Sequence, residues 1–523
     1  MQMPMHATGQ MLLDLEHGRG LALALLPELI LTVWALALTL YAAWRHREPG
    51  AQKQVGVLSL IGILAAAVAA AWLWRRGASV PGLPSAIAVD SFRWAATIVI
   101  LTGTGLATVL AIGYLEREQI LIPEFHVLVL YAAIGMLFMV AGADLLVIFL
   151  GLETMSVAVY VLAGLNRRSP YSAEAALKYF LLGSFASAFF LYGVALLYGA
   201  TGTTKLALLA FQAQALGDGV RGMFWIGVGL LVIGFGFKVA AVPFHMWAPD
   251  VYDGAPTPAT AFMAATVKAA AFGAFARVLL MALPNVYPEW REAIYWLAVI
   301  TMVGGNLLAL AQRSLKRMLA YSSVAHAGYL LAALAPGSLA GASAFLFYIL
   351  FYTLTTVAAF AVLAAKGRGG ERDVLIDDLA GLAESDPLLA AVLAVSMLSL
   401  LGFPGTAGFI GKWYVLASTA GAGLTSLAVI LVLTSVVSAG YYLPVIMAMY
   451  MKPRLHAQVH DDVATTGAVR GVLLATMVAL ILFGVFPGSV LNAARSGSNA
   501  FMPRAISTAT VRPLPAMPAH PHD

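Results

Sequence analysis

Lysine, glutamate and histidine occur in this chain at places where a run of leucine and alanine would be expected. Glu153 stands in LLVIFLGLETMSVAVYVL, Lys268 in FMAATVKAAAFGAF and His326 in AYSSVAHAGYLL. Lys238 and His245 flank a proline in FGFKVAAVPFHMW, and Lys412 follows glycines and a proline in LGFPGTAGFIGKWYVL. Lys178 lies within two turns of the start of its own apolar run. An ionisable group at mid-membrane costs roughly 2.5–3.5 kcal/mol on insertion scales, so its presence points to function. Burial weakens a lysine's preference for charge and brings proton release toward neutral pH, and a neighbouring carboxylate reverses that effect. Glu153 near Lys178 is therefore expected to act as a switch. Closed, the pair keeps the proton on Lys178; opened, Lys178 releases it toward Lys238. Histidine can relay protons without large tuning. The chemistry these residues support is proton transfer, with hydroxyls and water bridging the gaps.

Plainer readings stand beside this one. Lys178 can snorkel to the surface, and His245 and His326 can bond carbonyls between helices. Arg277 is expected to snorkel from the outer end of its run, Asp144 and Glu28 are expected at the membrane interface, and His126 is assigned no role. Glu153, Lys238, Lys268 and Lys412 lie in mid-run, with no easy reach to an interface.

The elements that must position these groups follow from composition. Of 523 residues, 61% are hydrophobic and 11% charged, against about a quarter charged in a soluble domain. A spanning helix needs roughly 20 apolar residues. Such runs occur near 21–44, 55–74, 94–114, 125–142, 144–165, 173–199, 221–248, 258–283, 292–312, 318–335, 341–365, 388–420, 423–450 and 468–490. They are too long and too uniformly apolar for barrel strands. The expected fold is an all-α polytopic membrane protein, one domain over 1–523 with about fourteen transmembrane helices. Cysteine is absent, which excludes disulfides, thiolate metal sites and iron–sulfur clusters on this chain. The formal charge of +5 reflects loop cations of a membrane protein, not nucleic-acid binding. No removable signal peptide is expected.

Loop charges orient the bundle. Arg45, Arg47, Lys53, Arg117, Arg167, Arg168, Arg313, Lys316, Arg317, Lys366, Arg368, Arg372, Lys452 and Arg454 follow odd-numbered runs; Arg75, Arg76, Arg93, Lys205, Arg221 and Arg291 follow even-numbered ones. Cations stay on the cytoplasmic side, so both termini are expected outside. The Pro-, Ala- and His-rich tail, 503–523, is expected to be disordered.

Two runs are interrupted. Pro243 breaks the seventh, and Gly402, Pro404, Gly405 and Gly408 break the twelfth, because proline and glycine weaken a helix interior. Irregular backbone at membrane depth is tolerated only against protein or a water-filled cavity. The breaks lie five runs apart, an odd number, which is the arithmetic of an inverted repeat: 122–283 against 292–450. Paired interrupted helices in two halves point to a transport path; two unrelated proline kinks are the simpler alternative.

FGFKVAAVPFHMWAPDVYDGAPTPATAF (235–262) with the following ATVKAAAFGAFARV, RSLKRMLAYSSVAHAGYLL (313–331) and GFPGTAGFIGKWYVL (402–416) resemble membrane subunit N of proton-pumping NADH:quinone oxidoreductase, respiratory complex I. The resemblance covers nearly the whole chain. It implies an antiporter-like fold with two inverted five-helix repeats and discontinuous helices 7 and 12. It also implies a proton-transfer path through Glu153, Lys178, Lys238, His245, Lys268, His326 and Lys412. Lysine at 412 favours subunit N over sister subunits, which often carry glutamate there. NADH, FMN, iron–sulfur clusters and quinone are implied to bind partner subunits, leaving no cofactor or metal on this chain. Partners are then the other membrane-arm subunits and the lipid bilayer, and the setting a bacterial inner membrane. Three other readings remain: a multisubunit sodium/proton antiporter subunit, a haem- or quinone-binding redox protein, and a bundle that fills the membrane arm and conducts nothing.

Overall fold

The computed structural model describes residues 15–46, 48, 50–77, 86–366, 374–453 and 467–501, and no β-strand occurs among them. The tail 503–523 and the loop cations Arg47, Arg368, Arg372 and Arg454 lie outside the described residues.

The helices run in this order: α1 (Leu15–Ala24), α2 (Leu26–Arg45), α3 (Ala51–Arg76), α4 (Ser91–Arg117), α5 (Glu124–Ala141), α6 (Leu145–Ala163) and α7 (Pro170–Thr201). Next come α8 (Leu206–Gln212), α9 (Asp218–Val239), α10 (Trp247–Gly254), α11 (Thr257–Phe262), α12 (Lys268–Arg277), α13 (Tyr287–Leu310) and α14 (Leu315–Leu334). The chain continues through α15 (Leu339–Lys366), α16 (Leu382–Ser385), α17 (Pro387–Leu401), α18 (Ala407–Gly421), α19 (Thr425–Met451), α20 (Gly467–Val485) and α21 (Gly488–Ser498). Among the described residues, twelve helical segments are long and apolar enough to cross a membrane. The two remaining runs expected from sequence correspond to α14, which opens with Lys316 and Arg317, and to the interrupted pair α17–α18. Side-chain oxygens start several helices by accepting backbone N–H groups that the first turn leaves free. Asp90 accepts from Arg93 N at 2.8 Å and Asp144 from Leu146 N at 2.9 Å, while Ser314 and Thr406 cap α14 and α18.

One set of backbone contacts occurs twice. Leu145 N donates to Thr204 O (3.0 Å) and Leu206 N to Ala143 O (2.9 Å); Leu315 N donates to Val374 O (2.9 Å) and Ile376 N to Arg313 O (3.0 Å). Each residue of the second pair of bonds is numbered 170 above its counterpart. The glycines obey the same offset. A Cβ on Gly135 would meet Met155 N at 2.4 Å, and one on Gly305 would meet Ala325 N at 2.4 Å, so only hydrogen lets each helix pair approach so closely.

Both expected breaks are present. α9 ends at Val239, Ala240 adopts φ +58°, and helix resumes at Trp247. The freed backbone finds partners, as it must away from water: Phe237 O accepts from Trp247 Nε1 at 2.9 Å, and Val242 N donates to Thr301 Oγ1 at 3.1 Å. The second break turns on Gly402 (φ +84°) and Gly405 (φ +92°). A Cβ on Gly408 would lie 1.8 Å from Ser399 O, so the two half-helices overlap only because that residue is glycine.

The segment Thr257–Ala282, which carries Lys268, is buried throughout almost its whole length. It is not one regular helix. π-turns at Met263–Val267 and Val278–Ala282 bracket α12, a geometry that is rare and concentrates at functional sites.

One expectation about a charged residue is corrected. Arg277 does not snorkel. It is fully buried, with Nη1 and Nη2 on the Asp90 carboxylate at 2.7 and 3.0 Å and Nε on Val140 O at 2.9 Å. Its helix is enclosed on every side, so no route leads to lipid, and the cap of α4 supplies the counter-ion instead. Glu28, in the first turn of α2, is buried within the protein, where Oε1 accepts from Arg93 Nη2 at 2.7 Å.

Candidate proton-transfer path

Lys238 lies in the last turn of α9, directly before the break. Its ammonium donates to Ser156 Oγ (2.7 Å) and Tyr160 OH (3.1 Å), both on α6, and lies 5.1 Å from the Tyr160 ring centre. Gly183 of α7 provides the space for that phenol; a Cβ there would lie 2.1 Å from Tyr160 OH.

Lys268 opens α12 directly after the first π-turn. Its ammonium donates to Ser323 O of α14 at 2.7 Å and to the Ser323 hydroxyl, and lies 5.9 Å from the Tyr352 ring centre. Three residues on, His326 engages both ring nitrogens: Nδ1 with Tyr348 OH at 2.7 Å and Nε2 with Tyr442 OH at 3.1 Å. A neutral imidazole donates from one nitrogen and accepts at the other, so a tautomer change moves a proton between those phenols. Tyr329 and Tyr352 pack on the same imidazole, with ring centres 5.4 and 5.2 Å away.

Lys412, one turn into α18, reaches back across the second break. Its ammonium donates to Leu401 O at 3.0 Å, a carbonyl freed by the end of α17, and sits 4.5 Å from the Tyr329 ring centre. A cavity of about 320 Å³ opens beside it, lined by Leu401, Gly402, Lys412 and Ser435 among others. Lys268, Tyr352, His326, Tyr329 and Lys412 thus form one contiguous series.

Among the described residues, none of Lys238, Lys268 and Lys412 has a carboxylate within ion-pair distance, and all three are at most 6% exposed. Hydroxyls, carbonyls and ring faces stabilise an ammonium here. Unlike a carboxylate, these acceptors also tolerate a neutral amine, which is what a residue that gains and loses a proton needs.

The remaining sequence-predicted groups are placed differently. Glu153 is half-buried on α6, and its carboxylate accepts from the Ser187 hydroxyl of α7. Lys178, 40% exposed, pairs with Glu174 and Asp250, each at 2.7 Å, and not with Glu153. Lys178 and Ser187 are nine residues apart on α7, about 13 Å along the axis, so the carboxylate and the amine sit at different depths. His245 is half-buried in the first break, with no hydrogen-bond partner from a neighbouring helix among the described residues.

The sequence family described as "NADH:quinone oxidoreductase/Mrp antiporter, TM" matches residues 142–438. A protein of Gemmatimonas aurantiaca named NADH-quinone oxidoreductase subunit N is 47% identical, over 94% of this chain and 96% of its own length. A subunit N of Trichlorobacter lovleyi is 44% identical, over 90% of this chain and 96% of its own. The chain belongs to the subunit N family of NADH:quinone oxidoreductase. A chain of respiratory complex I from Thermus thermophilus superposes with a TM-score of 0.77 at 40% identity, covering 90% of this chain and all of that one. A chain of the Mrp complex from Dietzia gives a TM-score of 0.79 at 22% identity, with 93% of this chain and 98% of that one covered, a likeness of fold alone.

In this member of the subunit N family, the reading from sequence missed the neutral partners. Ser156, Tyr160, Ser323, Tyr329, Tyr348, Tyr352 and Tyr442 touch the lysines or the histidine. A signal existed for some of them: 153, 156 and 160, and 323, 326 and 329 each share one helical face. Glu153 and Ser156 also stand 170 residues before Ser323 and His326, so corresponding positions of α6 and α14 face the lysines.

Proposed function

We propose that this chain is the proton-translocating subunit N of an NADH:quinone oxidoreductase in a bacterial inner membrane, with both termini outside. Protons pass along Lys238, Lys268, His326 and Lys412. Glu153, Lys178 and His245 serve the path from its edge: Glu153 biases it electrostatically, and Lys178 with Asp250 collects protons at the exposed end. NADH oxidation, flavin and iron–sulfur chemistry and quinone reduction take place on partner subunits. The two halves, 122–283 and 292–450, are inverted repeats, a reading supported by the contacts that return at an offset of 170 residues.

The observation that carries this reading is the row of buried amines joined through hydroxyls, an imidazole and aromatic faces, with no carboxylate fixing their charge. A bundle that only filled space would have no reason to bear the cost of three such amines. The test is Lys238→Ala and Lys268→Ala in the assembled complex, with proton uptake by membrane vesicles measured against NADH oxidation. Both variants are expected to assemble and to lose most pumping. Normal pumping by both would remove these residues from any path. The sodium/proton antiporter reading draws on the shared family description; chains that co-purify without redox subunits would favour it.

A further inference from the structure

The series from Lys268 to Lys412 is closed by direct contacts, but Lys238 and Lys268 are not so joined. Between them lies an aromatic cluster. Tyr160, which accepts from Lys238, meets Tyr179 edge-on with ring centres 4.8 Å apart; Tyr179 stacks on Trp247 at 4.4 Å; Trp247 meets Tyr252 edge-on at 5.7 Å. The Tyr252 phenol interacts with the Ser323 side chain, which holds Lys268. Each of these aromatic side chains is buried.

Tyr179 has a hydroxyl that this packing does not use. It is fully buried and has no hydrogen-bond partner among the described residues. A buried hydroxyl left without a hydrogen bond is costly, and phenylalanine would supply the same stack on Trp247 without that penalty. Buried polar groups of this kind are normally satisfied by bound water.

Resting on the proton-path reading, we infer that the Tyr179 hydroxyl binds a water that bridges the Tyr160 and Tyr252 phenols, and that this water is the link carrying protons from Lys238 to Lys268. The transfer balances. An N–H bond of the Lys238 ammonium breaks as an O–H bond forms on Tyr160, and Tyr160 passes its own proton to the water. The water passes one of its protons to Tyr252, and Tyr252 passes its own through Ser323 to the neutral amine of Lys268. Every oxygen ends with the protons it began with, and the net change is one proton from one amine to the other. Tyr179 holds the water by hydrogen bonding and so sets the alignment of the chain.

The experiment is Tyr179→Phe in the complete complex, assayed in vesicles for pumping rate and its solvent deuterium isotope effect, beside Lys238→Ala and Lys268→Ala. Tyr171→Phe, which removes an exposed phenol from the same helix, is the control. Tyr179→Phe is expected to assemble, to pump more slowly by on the order of a hundredfold, as a misaligned reacting group does, and to change the isotope effect. Wild-type pumping and isotope effect in Tyr179→Phe, with both lysine variants impaired, overturn the bridge and leave the path standing. Wild-type pumping in the lysine variants as well overturns the path itself. Should Tyr179→Phe not assemble, Tyr252→Phe decides the matter in the same assay: a comparable loss supports the bridge and wild-type behaviour overturns it.

Discussion

Gly183→Ala should damage the path although it improves the helix. By intrinsic propensity, alanine stabilises a helix interior by about 1 kcal/mol relative to glycine. Here its Cβ would lie 2.1 Å from Tyr160 OH, 2.7 Å from the phenol carbon that bears it and 3.0 Å from the next ring carbon. Ordinary contact begins near 3.4 Å, so the phenol oxygen must move by about 1.3 Å. Tyr179 and Phe180 pack edge-on against the same ring, at 4.8 and 5.9 Å, and leave it little freedom to turn away. The Lys238–Tyr160 bond, already 3.1 Å long, is then lost. A hydrogen bond to a charged group contributes about 1.5–3 kcal/mol, which corresponds to roughly a ten- to hundredfold slower proton step. Vesicle pumping per NADH oxidised, with complex content normalised on native gels, measures the loss. Tyr160→Phe in the Gly183→Ala background should cost little more, because the same bond is already gone. Full pumping in an assembled Gly183→Ala complex, or a further full loss in the double variant, would refute the reasoning.

Other consequences are equally direct. Asp90→Asn leaves Arg277 buried without its counter-ion and should destabilise the solubilised protein by about 3–5 kcal/mol, read as a lower thermal midpoint. Burial by itself would push the Asp90 carboxyl up, but the Arg277 guanidinium and the Arg93 amide outweigh it and hold it below 3.8. A depressed carboxylate stabilises fully above its unfolded value and progressively less as pH falls through the folded one. The wild type should therefore lose stability below about pH 3.8 more steeply than Asp90→Asn, and parallel acid profiles would contradict this. Because Glu153 and Lys178 share no contact, the losses in Glu153→Ala and Lys178→Ala should add within about 0.5 kcal/mol. Lys178→Ala and Asp250→Asn, which break one ion pair, should not add; a double-mutant cycle on pumping rate with the opposite pattern would restore the expected switch.

The sequence was enough for the spans, the breaks and the chemical class, since each depends on local chemistry. A run such as 341–365 is apolar wherever it is placed and must lie in lipid or protein. Pro243 lacks a backbone donor in any context, and Gly402 and Gly405 permit the positive φ that ends α17 and turns the chain. Lys238, Lys268 and Lys412 declared themselves because an amine in mid-run has no inexpensive explanation. What the residues contact was decided only by tertiary structure. Lys178 faces Asp250, 72 residues away, and Arg277 faces Asp90, 187 residues away. No periodicity predicts such pairs, because they depend on which helices become neighbours. The π-turns around Lys268 escaped for a related reason. An apolar alanine-rich segment favours α geometry locally, so nothing in its sequence announces the rare π-turns that the folded segment Thr257–Ala282 contains. The partners of the amines are serine and tyrosine, residues too common in membrane helices to stand out until the fold gathers them around one charge.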